Sequence, residues 1–149
     1  MKESSSPFFS IILATYNGHK YLLQQLNSIL NQEFYSWELI IIDDFSSDDS
    51  FLIANNFKKQ NKEKDIKLIR NTKNLGPNLT FINNLYKSSG EWIVFCDQDD
   101  IWFENKLKML HKKIKESPNV FAVLHNSKYL INDDNRQIYG MNKKRIYNE

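Results

Sequence analysis

The sequence predicts an α/β domain built on an open, mostly parallel sheet with helices on both faces. Three observations carry that prediction. Short apolar runs alternate with longer stretches of helical period. The apolar runs are continuous instead of strictly alternating, as expected of parallel strands covered on both sides. Polar and acidic residues gather where those runs end, and in open α/β sheets ligands bind outside the carboxyl ends of the strands. At 149 residues the chain fits one domain with a sizeable core.

Five runs are expected as strands: Phe8 to Thr15, Glu38 to Ile42, Ile66 to Arg70, Trp92 to Cys96 and Val120 to His125. Between the first two, Leu22, Leu26, Ile29 and Leu30 fall at helical spacing after Gly18. A second helix is expected to carry Phe51, Leu52 and Phe57 after an N-cap at Ser47, with Asp48 and Asp49 in its first turn. Pro77 suits the first turn of a third, bearing Phe81, Ile82, Leu85 and Tyr86 and closed by Gly90. The fourth, Phe103, Leu107, Leu110 and Ile114, stops before Pro118. Strand–helix alternation with right-handed crossovers follows.

Composition narrows the function classes. A net charge of +2, with no basic face interleaved with aromatics, argues against nucleic acid as a partner. Lys143-Lys144-Arg145 reads as a solvated tail. Cys96 is the only cysteine and sits in an apolar run, so it is expected as a buried, inert thiol in a reducing compartment. Phe8 to Ala14 lacks the flanks of a secretory leader, and no segment approaches the roughly 20 apolar residues that span a bilayer.

The densest signal is VFCDQDDIW, Val94 to Trp102, where an apolar run meets Asp97, Asp99 and Asp100. Unit charges ~4 Å apart repel by about 4 kcal/mol at an effective dielectric near ~20, so the cluster needs a positive partner or full exposure. Oxygen ligands select Mg²⁺, Mn²⁺ or Ca²⁺, and a Mg²⁺-type ion takes one or two carboxylates plus water and substrate phosphates. The competing reading is a solvated loop whose aspartates cap a helix beginning near Trp102. A second acidic pair, Asp43-Asp44, falls on the same sheet edge and favours the cation. Arg70 suits a nucleotide contact or an ion pair. Tyr16 suits a base pocket or packing beneath Gly18, and Asn74 and Gly76 shape a turn. Trp92, Trp102 and Phe103 read as core or near-core, and His19, His111 and His125 have no ligand spacing.

Two rival folds fit less well. A nicotinamide-binding domain needs G-x-G-x-x-G at the first strand–helix turn, where this chain has Thr15-Tyr16-Asn17-Gly18-His19. A phospho-acceptor receiver domain carries its acidic pair after strand one, where this chain has no acid.

Taken in order, SIILATYNG (Ser10 to Gly18), ELIIIDDFSSDDS (Glu38 to Ser50), IRNTKNLGPNLTF (Ile69 to Phe81) and GEWIVFCDQDDIW (Gly90 to Trp102) resemble the family 2 glycosyltransferases. These are inverting enzymes with the Rossmann-like GT-A nucleotide-sugar-binding fold. The Asp-Gln-Asp-Asp-Ile-Trp variant is similar to rhamnosyltransferase-type members that build bacterial polysaccharides. The resemblance implies that Thr15 and Tyr16 flank the nucleotide base, that Asp44 contacts base or ribose, and that Arg70 lies near the base. It implies Asp97 toward the ribose and Asp99 on a Mn²⁺ or Mg²⁺ ion bridging the diphosphate of a UDP- or dTDP-sugar. Asp100 is an adjacent acid without a definite role. The acceptor implied is a saccharide or lipid-linked glycan, and the setting cytoplasmic, at the inner face of the membrane with peripheral contact allowed.

Members of this family run well beyond the present length and take their general base from the half that follows the D-x-D. Only 47 residues follow Trp102, and neither Asp133 nor Asp134 is a convincing base. The expected organisation is a donor-binding domain over 8–126 and a polar extension over 127–149 that begins an acceptor-binding half.

Overall fold

The computed structural model describes residues 6–117 and 119–123. In chain order they form β1 (Phe9–Thr15), α1 (Leu22–Leu30), β2 (Trp37–Asp43), α2 (Ser50–Gln60), β3 (Ile66–Arg70), α3 (Pro77–Ile82), a 3₁₀ turn (Leu85–Lys87), β4 (Trp92–Cys96) and α4 (Lys106–Lys115). The four strands make one sheet in the order β3-β2-β1-β4. Every pairing is parallel: Phe9 lies opposite Trp37 and Trp92, and Leu39 opposite Ile66. Parallel neighbours require crossovers, and α1, α2 and α3 supply them.

Strands β1 and β2 are Ile/Leu runs because both faces are covered. Ile12, Ile40 and Ile42 pack on one side with Ile69, Phe81 and Leu85. On the other side α1 contributes Leu22, Leu26 and Ile29, all fully buried. Each buried Ile or Leu contributes about 1.5–3 kcal/mol. A buried bond from Gln25 Nε2 to Cys96 Sγ, at 2.7 Å, ties α1 to β4. Burial pushes the Cys96 thiol up, opposed by the Gln25 bond, which keeps it unreactive.

Several expectations change. Four strands are present among the described residues: Val120 to Val123 are not strand, and Leu124 and His125 lie outside the description. Helix α2 starts at Ser50 because Ser46 and Ser47 are drawn toward Asn17, and Asp48 receives the Ser50 N–H at 2.9 Å. Helix α3 stops at Ile82; the Asn84 amide bonds the Thr80 carbonyl at 2.8 Å, a local alternative to helical continuation. Ile82 and Tyr86 are consequently exposed. Helix α4 begins at Lys106, so Asp100 caps nothing. Trp102 is buried and Trp92 half-buried, but Phe103 is 63% exposed and is not a core residue.

The chain divides into two compact units, Met1–Leu107 and Lys108–Glu149. The whole sheet belongs to the first. Asp133, Asp134, Lys143-Lys144-Arg145 and the extension over 127–149 lie outside the described residues. Among the described residues no helix is long and apolar enough to cross a membrane.

Candidate active site

The order in which strands are added reverses at β1: β2 and β3 are added on one side of it, then β4 on the other, all parallel. Such a switch point opens a crevice at the carboxyl ends of the strands. An open cleft of ≈ 350 Å³ lies at these strand ends, lined by Thr15 and Tyr16 after β1, Asp44 after β2, Gly76 and Thr80 around the start of α3, and Asp97 and Asp99 after β4.

Its walls are cross-linked loops. Asp44 accepts Asn71 Nδ2 at 2.7 Å and the N–H groups of Leu75 and Gly76 at 2.9 Å each. Burial works against its charged form, yet the bonds from Asn71, Leu75 and Gly76 outweigh it and lower the Asp44 carboxyl. Gly76 receives that geometry at φ +78°, where a side chain would be strained. On the opposite flank, Asn17 N–H donates to Ser46 Oγ at 3.0 Å and Gly18 N–H to Ser50 Oγ at 2.8 Å. His19 meets Asp48 at 2.7 Å. The Phe45 to Ser50 segment thus braces the β1–α1 loop, and Asn17 (φ 48°) and Phe45 (φ 66°) are held left-handed by it. For a bulky residue such as Phe45 that conformation costs on the order of 1–3 kcal/mol, a strain that clusters at functional sites.

The β4 end differs. Asp97, Asp99 and Asp100 are exposed, and none makes an ion pair or side-chain hydrogen bond among the described residues. Burial first, then the charges of Asp100 and Asp99, raises the Asp97 carboxyl. Lys106 senses the charge of Asp100, but no cation pairs with Asp97 or Asp99 among the described residues. No cluster of three or more His, Cys, Asp or Glu among the described residues is arranged to hold a metal ion. The donor set nevertheless fits a Mg²⁺-type ion, which takes one or two carboxylates and fills its shell with water and phosphate.

Of the residues singled out from the sequence, Thr15, Tyr16, Asp44, Asp97 and Asp99 meet in this cleft. Arg70 does not. Its Nε lies 3.1 Å from Asp43 Oδ2, it donates to the Ser46 carbonyl at 2.7 Å, and its guanidinium stacks 4.7 Å from the Phe51 ring centroid. Sequence reasoning missed Gln98, whose amide contacts Thr15 and Tyr16. No spacing rule marks it, because its partners lie 82 and 83 positions earlier. It also missed Ser46 and Ser50, for which the clustered hydroxyls of the Phe45 to Ser50 segment were the available signal.

A larger groove, ≈ 620 Å³, runs between α2 and β3, lined by Lys58, Lys59, Lys62, Lys64 and Arg70 over Ile66 and Leu68. That groove lies beside the sheet edge and contains none of the strand-end carboxylates, so the smaller cleft is the site.

The profile of Glycosyl transferase family 2 matches residues 10–148. The GalNAc(5)-diNAcBac-PP-undecaprenol beta-1,3-glucosyltransferase of Campylobacter jejuni is 36% identical over 110 residues, covering 74% of this chain and 35% of that protein. Among solved structures, Staphylococcus aureus TarS in complex with UDP-GlcNAc superposes with a TM-score of 0.66 at 32% identity, over 72% of this chain and 31% of that one. The mannosyltransferase PcManGT of Pyrobaculum calidifontis, in complex with GDP-Man and Mn²⁺, shares the fold at a TM-score of 0.72 and 22% identity, over 78% of this chain and 34% of that one. The chain thus spans about a third of the length of these proteins. The family profile covers residues 10–148, nearly the whole chain, and the parallel α/β sheet agrees with the fold of TarS; this chain is a member of glycosyl transferase family 2.

Proposed function

We propose that this chain is the donor-binding part of an inverting glycosyltransferase of polysaccharide biosynthesis that uses a UDP- or dTDP-sugar with Mn²⁺ or Mg²⁺. One observation carries the reading: the cleft at the β1/β4 switch point joins an aromatic and hydroxyl wall, Tyr16 and Thr15, to two carboxylates, Asp97 and Asp99. In this reading Tyr16 and Thr15 flank the base and Asp97 turns toward the ribose. Asp99 holds the metal ion, which when bound neutralises negative charge on the leaving diphosphate. Asp44 shapes the pocket through the Asn71–Gly76 loop, since both its oxygens already accept bonds from that loop. Arg70 acts one layer further out, fixing the Ser46 carbonyl and Asp43. The acceptor is a saccharide or a lipid-linked glycan, consistent with the undecaprenol-linked substrate in the Campylobacter relative's name, and the setting is the cytoplasmic face of the membrane.

A second reading is a nucleotide-sugar-binding or assembly module of the same fold without catalysis. General bases typically supply roughly 10²- to 10⁴-fold in rate, and a chain lacking one would bind donor yet transfer sugar slowly or not at all.

A thermal-shift panel tests the shared part. UDP or dTDP is expected to raise the melting temperature only with Mn²⁺ or Mg²⁺ present; a ligand at 100 times its Kd adds about 2.7 kcal/mol. Equal shifts in EDTA would remove the metal from the proposal. A larger shift with NAD would remove the nucleotide sugar. Sugar transfer to an acceptor then separates enzyme from module.

A further inference from the structure

The backbone ladder between β1 and β4 ends at Leu13 opposite Cys96. Beyond that pair the two chains part and become the facing walls of the cleft. One side chain spans the gap. Gln98 Oε1 accepts the Thr15 hydroxyl at 2.7 Å and the Tyr16 N–H at 2.9 Å, and Gln98 Nε2 donates to the Tyr16 carbonyl at 3.2 Å. Both lone pairs of the amide oxygen are used, and Tyr16 is gripped through its own N–H and C=O as a neighbouring strand would grip it. The fit depends on Gly18: a Cβ there would stand 2.1 Å from Gln98 Oε1 and 3.0 Å from Thr15 Oγ1. Asp97 and Asp99 are the immediate chain neighbours of Gln98. The side chain that orients Tyr16 therefore also fixes the backbone carrying both carboxylates.

From this geometry we infer that Gln98 is a positioning residue that couples the two walls: seating a nucleoside against Thr15 and Tyr16 sets the Asp97–Asp99 loop for cation and diphosphate, and the reverse. The inference rests on the donor-binding reading of the cleft. It adds that nucleotide and metal binding are cooperative through the protein, besides any direct contact between the two ligands. A side chain gripping both loops gives such coupling a physical carrier, and couplings of this kind are typically about 5- to 150-fold and reciprocal.

The test compares the unsubstituted chain with Gln98→Met, which keeps most of the volume but removes all three bonds. Gly18→Ala is the second variant, displacing the amide from the opposite side. UDP affinity is measured by calorimetry in Mg²⁺ and in EDTA. The expected result is that the ratio of the two affinities falls by about tenfold in both variants. A uniform loss that leaves the ratio unchanged would reduce Gln98 to a structural role and overturn the coupling. Hydrogen exchange in the ligand-free chain supplies the readout that does not need the donor reading: residues 15–18 and 97–99 are expected to lose protection together in Gln98→Met. Unchanged or one-sided protection would overturn the link. If the unsubstituted chain binds no UDP while the two loops still loosen together, the donor reading fails and the mechanical link stands.

Discussion

Glu38 stands at the opposite end of the sheet from the cleft, fully buried near the start of β2. Its Oε1 accepts Ser10 Oγ at 2.6 Å, Ser89 N–H at 2.6 Å and Ser89 Oγ at 2.7 Å, and its Oε2 meets Lys67 Nζ at 2.6 Å. Burial alone would raise this carboxyl, but the bonds from Lys67, Ser10 and Ser89 outweigh it and lower it to about 2 from 4.5. A carboxyl lowered on folding stabilises the protein above its unfolded pKa and loses that stabilisation as pH falls toward the folded value. The window therefore opens below about pH 5 and closes near pH 2, and the difference amounts to roughly 3 kcal/mol at about 1.4 kcal/mol per pH unit.

Glu38→Gln isolates the effect. The glutamine oxygen retains the three donors at Oε1, but its NH₂ then faces the Lys67 ammonium, donor against donor. Breaking a buried pair by removing one partner costs about 3–5 kcal/mol. Because the Lys67 side chain is 41% exposed and keeps water, the lower end applies, in agreement with the roughly 3 kcal/mol from titration. Urea unfolding at pH 7 and pH 3 is the assay. The deficit of Glu38→Gln relative to the unsubstituted chain is expected to shrink by about 2 kcal/mol at pH 3, where unfolded Glu38 is protonated and folded Glu38 still ionised. A deficit that is the same at both pH values would refute the assigned linkage. Nucleotide binding, at the other edge, is expected to be unaffected at pH 7.

Asp97 works in the opposite sense: its carboxyl is raised, so it picks up a proton at higher pH than an unperturbed aspartate, and Mn²⁺-dependent UDP binding is expected to weaken correspondingly early on acidification. Asp99→Asn removes one of the neighbouring charges and is expected to lower the Asp97 titration midpoint, read by ¹³C NMR of the carboxyl carbon, while reducing metal-dependent binding; an unmoved midpoint would show that the two carboxylates do not sense each other. Gly90→Ala would put a Cβ 2.6 Å from the Ser10 nitrogen and 2.8 Å from the Phe9 carbonyl carbon, both backbone. A destabilisation of about 1–3 kcal/mol is expected, measured as a lowered urea midpoint, since β1 cannot retreat without disturbing its neighbours.

What was legible in the sequence follows from period and position. The strands were visible because β1 and β2 are buried on both faces and so lack the polar alternation that would blur them. The strand-end acids were visible because a charge cluster abutting an apolar run is locally anomalous. Helix starts depart from the local pattern where side chains divert the backbone: the Phe45 to Ser50 segment reads as a capping sequence, yet Ser46, Ser47 and Ser50 pair with groups about 30 positions away. Gln98 carries no local signal for the same reason, and the ion-pair reading of Arg70 finds its partner, Asp43, only once β2 and β3 pair in register.

Negative charge is handled in two ways within one sheet, and the contrast locates function. Glu38 is buried, accepts four hydrogen bonds and has a cation opposite; its charge is satisfied by the fold and leaves nothing for a ligand. Asp44 is nearly as saturated, and its charge organises a loop. Asp97 and Asp99 have no such partners and repel one another, so their arrangement is tolerable to the fold only through exposure. Glu38 and Asp44 are satisfied by the fold while these two are left open, and such local violations of consistency are expected where a site must receive something from outside. A group that adds positive charge would relieve the repulsion among them, whereas an uncharged ligand would bury it and deepen it. The proposed Mn²⁺ or Mg²⁺ ion would supply that positive charge.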